Sequence, residues 1–105
     1  MAERHYQPQV IKRLRKEFPG CLILKNDSSY MQGVPDLIIL FGDRWAMLEV
    51  KASKDSAFQP NQAYYVSELN HMSYAAFIFP ENEDEVFRDL QHALRPRRAT
   101  RIPVR

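Results

Sequence analysis

The chain has 105 residues and a mass of 12.4 kDa, room for one domain around one core. Hydrophobic residues make up 45% and charged residues 27%, the balance of an ordinary globule. With 3 Gly and 7 Pro the chain is neither collagen-like nor of low complexity, and the lone Cys21 excludes a disulfide framework and a Cys-cluster zinc site.

The net charge of +2 is spread unevenly: +4 over residues 1–25, −3 over 26–80, −4 over 81–94 and +5 over 95–105. That split suits a protein that binds a polyanion around an acidic centre; it equally describes a solvated helix face followed by a disordered basic tail. The longest apolar run is six residues, Tyr74 to Phe79, against the roughly 20 that cross a bilayer. The N-terminal residues lack the apolar stretch of a signal peptide. No membrane partner is expected, and with the lone cysteine the expected location is the cytoplasm.

Tyr6, Val10, Ile11, Leu14 and Phe18 share one helical face, predicting a helix over His5–Phe18. Pro8 is placed in its first turn, where a missing N–H costs nothing, so Gln7 lies at the helix start. Pro19-Gly20 stops it. Cys21–Lys25 reads as a short strand and Asn26–Gly33 as a polar loop. Asp36–Phe41 is a nearly continuous apolar run, the pattern of a strand covered on both faces. Gly42-Asp43 turns it into a second strand, Trp45–Lys51. After a polar connection, Gln59-Pro60 opens a helix to about Asn70. Tyr74–Phe79 is a fourth strand, and Glu83–Leu94 is a last helix whose first-turn acids suit the positive end of its dipole. The order α-β-β-β-α-β-α predicts an α/β domain with a mixed central sheet flanked by helices, over residues 1–94. An Arg-rich tail follows over 95–105, expected to be extended and either to contact a polyanion or to join subunits.

A two-residue turn at Gly42-Asp43 sets Asp36 directly opposite Glu49, with Cβ atoms roughly 5 Å apart. Facing carboxylates repel, and a divalent cation converts that penalty into a binding site of hard oxygen ligands. Lys51, two residues after Glu49, points to the same face and can orient a water or offset charge on a phosphate. A three-residue loop would instead put Asp36 opposite Val50. Without a cation, Asp36 would merely begin its strand, with Glu49 and Lys51 as a surface ladder. Yet charges amid Trp, Ala, Met, Leu and Val are costly unless paired or used.

Gly33-Val34-Pro35-Asp36-Leu37-Ile38, followed by Leu48-Glu49-Val50-Lys51, resembles the PD-(D/E)xK nuclease superfamily, and within it the small stand-alone VRR-NUC domains common in phage genomes. Val10 to Gly20 is similar to that group's opening helix and Pro-Gly stop. Tyr30-Met31-Gln32-Gly33 is similar to its approach to the Gly-x-Pro-Asp turn, and Gln59-Pro60-Asn61-Gln62 to the Gln after its catalytic strand. The resemblance spans about residues 5–94. It implies a restriction-endonuclease-like core and an Mg²⁺-dependent endonuclease, with Mn²⁺ as a substitute. Asp36 and Glu49 would be metal ligands, with the Val50 carbonyl completing the shell. Lys51 would position the attacking water, and Gln62 would bind DNA or steady the site. The family's first-helix acid falls near Gln7; Glu3, one turn earlier, is the substitute, ahead of Gln9. The substrate implied is branched DNA, cut by a Holliday junction resolvase-like homodimer, phage-encoded. The alternatives are a nickase or nonspecific nuclease in packaging or repair, and a catalytically inactive nucleic-acid-binding module.

Other reactive residues read as structural. His5, His71 and His92 lack zinc spacing, Cys21 is a small core residue, and Tyr64, Tyr65 and Tyr74 pack rather than stack on bases. Ser28 and Ser29 have no base nearby. Lys25 and Lys54 flank the site, placed equally well to touch phosphate or to be solvated.

Overall fold

Tyr6, Val10, Ile11 and Leu14 form the buried face of the first helix, α1 (Glu3–Glu17), in the computed structural model, which describes residues 1–27 and 29–95. Four strands follow: β1 (Leu22–Lys25), β2 (Leu37–Phe41), β3 (Arg44–Val50) and, after helix α2 (Pro60–Met72), β4 (Tyr74–Ile78). A 3₁₀ turn at Pro80–Asn82 leads into α3 (Glu83–Ala93). The order matches the sequence reading apart from the 3₁₀ turn. The basic tail read from residue 95 onward lies, past Arg95, outside the described residues. No helix among the described residues is long and apolar enough to cross a membrane.

One correction concerns the start of α1. The helix begins at Glu3, not His5, and Pro8 sits inside it rather than in its first turn. Ala2 O accepts from the N–H groups of His5 and Tyr6, so the first turn closes upstream of the proline. Pro8 removes one interior bond, at a ring that is exposed. The two extra residues at the front bring Glu3 toward the strands.

The sheet runs β1-β2-β3-β4, antiparallel through the first three strands and parallel between β3 and β4. Alternation sends Leu37, Ile39, Ala46, Leu48, Val50 and Ile78 to one face, where they are buried with Tyr6, Val10, Leu14, Phe87, Leu90 and Leu94 of α1 and α3. Met47 and Glu49 point to the opposite face and are buried there beside α2. A second correction follows. Strand β2 is not covered on both faces: Leu40 is 37% exposed, and on β1 Leu22 is 56% exposed. Helix α2 contacts β3 and β4 and leaves the outer face of β1 and β2 open among the described residues.

Arg13 fastens the two helices of the covered face. Its Nε donates to Glu17 at 2.6 Å, and its Nη1 to Glu83 at 2.7 Å and to Asp84 at 2.8 Å; its guanidinium stacks 4.2 Å over the Phe87 ring. Tyr6 OH donates to the other Glu83 oxygen at 2.6 Å. This bonding holds α1, and Glu3 with it, against α3. Arg13→Ala is expected to cost about 1–2 kcal/mol, since a network with a stacked guanidinium exceeds an isolated surface pair. Urea unfolding of the variant measures it; an unchanged midpoint would contradict the role given to Arg13.

Candidate active site

The β2–β3 hairpin pairs Leu37 with Leu48 and Phe41 with Arg44, so Gly42-Asp43 is a two-residue turn. Gly42, at φ 61°, takes the positive dihedral that the first position of such a turn requires. Continuing the register one step sets Asp36 opposite Glu49. Asp36 Oδ2 accepts the Val50 N–H at 3.0 Å, which holds the carboxylate against the end of β3. Glu49 is the one charged residue in the interior among the described residues, at 3% exposure. Its Oε2 accepts from Gln62 Nε2 at 3.1 Å and lies 3.8 Å from Lys51 Nζ.

Gln62 ties these groups together. Its Oε1 accepts from Lys51 Nζ at 3.1 Å and from the Gln59 N–H at 2.9 Å, while its Nε2 serves Glu49. Lys51 Nζ also donates to Ala57 O at 3.2 Å. Both ends of the Gln62 amide are occupied, so it positions Lys51 and Glu49.

The third carboxylate comes from Glu3. One carboxylate oxygen each of Glu3, Asp36 and Glu49 lies within 4.8 Å of the other two. Gln7 lines the adjoining groove with Glu3, Arg4, Pro8, Lys25 and Asp36 but supplies no carboxylate. Gln9 faces a different groove, with Lys12, Arg13, Lys16 and Glu17. The carboxylate that α1 brings to Asp36 and Glu49 is thus that of Glu3, the alternative one helical turn before Gln7.

Three converging carboxylates beside one ammonium are electrostatically unfavourable. Burial, and then the neighbouring Asp36, push the Glu49 carboxyl up to about 8, against the pull of Lys51. Burial also raises Asp36, offset by the Val50 N–H, and burial followed by Asp36 raises Glu3. The set fits a hard divalent cation, which replaces the shared proton and satisfies all three groups. Since the folded state holds a proton on Glu49 that the unfolded chain releases near 4.5, this group favours folding at low pH. That contribution is lost as pH rises toward 8. In EDTA the melting temperature should therefore fall between pH 5 and 8 and Glu49→Gln should flatten the slope, whereas Mn²⁺ affinity should rise about tenfold per pH unit up to pH 8. Affinity independent of pH over that range would contradict the shared proton.

Cations border the cluster. Lys25 lines the groove with Glu3 and Asp36, and it also lines the next groove along α1 with Pro8, Ile11, Lys12 and Arg15. Arg13 is withdrawn from this surface by its bonds to α3, which the charge pattern alone did not reveal. Lys54 donates its backbone N–H to Glu81 and is exposed. Burial raises the Cys21 thiol, and its sulfur packs by Leu14 O. Tyr74 OH donates to Asp89, and Tyr64 meets Tyr65 edge to face, 5.2 Å between centroids. Ser29 is engaged by Asp27, and Ser28 lies outside the described residues.

No family model matches the chain, and no curated protein matches it. Solved structures do. A structure named "VRR_NUC domain protein" is 19% identical, with a TM-score of 0.65 over 90% of this chain and 89% of that one. Another, "VRR_NUC domain", is 20% identical, with a TM-score of 0.59 over 77% of this chain and 92% of its own. The shared feature is the fold: a mixed four-stranded sheet between helices, carried over most of this chain in both comparisons.

Proposed function

We propose, from the premise that this chain has the VRR_NUC fold, that it is a metal-dependent endonuclease hydrolysing phosphodiester bonds of DNA. The observation that carries this is the meeting of Glu3, Asp36 and Glu49 beside an anchored Lys51. The Val50 carbonyl, between Glu49 and Lys51 in the chain, is the fourth oxygen of the proposed shell. A bound Mg²⁺ or Mn²⁺ supplies Lewis acidity at the phosphate and a water of lowered pKa.

The residues of the chain do the rest. An ammonium has three N–H donors. Ala57 O and Gln62 Oε1 take two of those on Lys51, leaving one for the attacking water or a phosphate oxygen. Gln62 keeps that ammonium and the Glu49 carboxylate in register. Arg4 and Lys25 share the groove of Glu3 and Asp36, and Lys12 and Arg15 line the next groove along α1, so an approaching backbone meets positive charge beside the cut. Glu3 in the cluster weighs against the inactive binding module, a reading that rests on the Gln at position 7.

Branched DNA is the substrate in this proposal, and a homodimer the active form. A twofold pair places two sites with the matched polarity that symmetric junction cuts need, and the exposed Leu22, Leu24 and Leu40 give a second copy an apolar face to cover. The testing experiment incubates the protein with four-way junction, flap, single-stranded and linear duplex DNA, in Mg²⁺, Ca²⁺ or EDTA. Cutting is expected in Mg²⁺, poor in Ca²⁺ and absent in EDTA, fastest on the junction. Full activity in EDTA would refute the mechanism; equal rates on all four would refute the branched-DNA substrate.

A further inference from the structure

Beside the carboxylates lies a cavity of about 410 Å³ lined by Gln32, Gly33, Gln59, Asn61 and Gln62. Gln62 borders both, so the cavity opens next to the groups that would cut. We infer that this cavity receives an unpaired nucleobase of the DNA. The inference rests on the nuclease reading above and narrows its substrate to a strand with an unstacked base beside the scissile bond.

The lining decides between base and phosphate. It contains four carboxamides and no Lys or Arg, whereas phosphate sites are built around cations. A carboxamide sets a donor and an acceptor side by side, the pattern that base edges present. Gln62 is engaged at both ends of its amide by Glu49, Lys51 and Gln59, but the side chains of Gln32 and Asn61 make no hydrogen bond to any described residue. Those two amides are available to a ligand. Asn61 lies close against the loop: a Cβ added at Gly33, whose φ is +91°, would lie 2.7 Å from Asn61 Cγ and 2.9 Å from its Nδ2. Gly33 thus lets the loop that leads to Asp36 press on the Asn61 amide, so the base reader and the metal ligand share one mount. The same loop carries Tyr30, 89% exposed, an aromatic face of the kind on which unstacked bases rest. The volume lies within the range of small-ligand sites, about 300–1,000 Å³. A base held in a duplex cannot leave its stack to enter without unpairing.

The test places 2-aminopurine at successive positions around the branch of a junction and reads its fluorescence on binding in EDTA, where nothing is cut, with affinity followed by anisotropy. Unstacking brightens the probe, so a severalfold rise is expected at one position near the branch. Asn61→Ala and Gln32→Ala, both at exposed positions, should each lower that rise by half or more. Mn²⁺ affinity should be unchanged in both, because Gln62 and the carboxylates are intact. DNA bound without a rise at any position would overturn the inference and leave the nuclease reading standing. So would a rise that neither variant lowers. No DNA bound at all would overturn both.

Discussion

Replacing Lys51 by alanine is expected to slow DNA cleavage by a factor of about 10²–10³ or more, the usual cost of removing one charge-stabilising donor from a reacting centre. DNA affinity should change little, because one cation among several facing the backbone is lost. Structure supports that separation: Lys51 is fixed by Ala57 O and Gln62 beside Glu49, while Arg4, Lys12, Arg15 and Lys25 line the neighbouring grooves. Asp36→Asn should cut as poorly and bind DNA slightly tighter, since it removes negative charge near phosphate. It keeps an oxygen for the Val50 N–H, so stability should hold. Single-turnover cleavage with anisotropy binding on the same junction checks both. Either variant cutting at the parental rate would show that the chemistry lies elsewhere.

The second large effect separates two residues one helical turn apart. Glu3→Gln should weaken Mn²⁺ binding by roughly 10–100-fold, the scale on which groups supporting a metal act. Gln7→Ala should leave that affinity within a small factor, because Gln7 borders the groove without a carboxylate to offer. Titration calorimetry on the two variants reads the difference directly. The reverse pattern, with Gln7 sensitive and Glu3 not, would return the first-helix position to Gln7.

The hairpin half of the site was legible in the sequence. A two-residue turn at Gly42-Asp43 admits one register, and the strand period of two then puts Lys51 on the side of Glu49. Gln62 was legible by position, but its threefold bonding to Gln59, Lys51 and Glu49 was not. The helix half offered both Gln7 and Glu3, and the start of α1 lies two residues before the one that the pattern marks. Proline is at home in a first turn, which predicts a start at His5; the helix instead accepts Pro8 internally and begins at Glu3. What holds α1 against α3 is Glu83, 77 residues from Tyr6 and 70 from Arg13. No local pattern encodes a pairing at that distance. The same limit applies to β2. Its unbroken apolar run suggested cover on both faces, but cover depends on where α2 lands, and α2 lies over β3 and β4. Gln32 belongs to the loop before β2 and Asn61 to the first turn of α2, two segments distant in the chain that approach closely at Gly33.

The most direct test is anomalous scattering from crystals of the protein grown or soaked in Mn²⁺. The account predicts density for the metal bounded by the carboxylates of Glu3, Asp36 and Glu49, lost in crystals of Asp36→Asn. Saturating Mn²⁺ with no peak among those three side chains would contradict the metal site and, with it, the mechanism built on it.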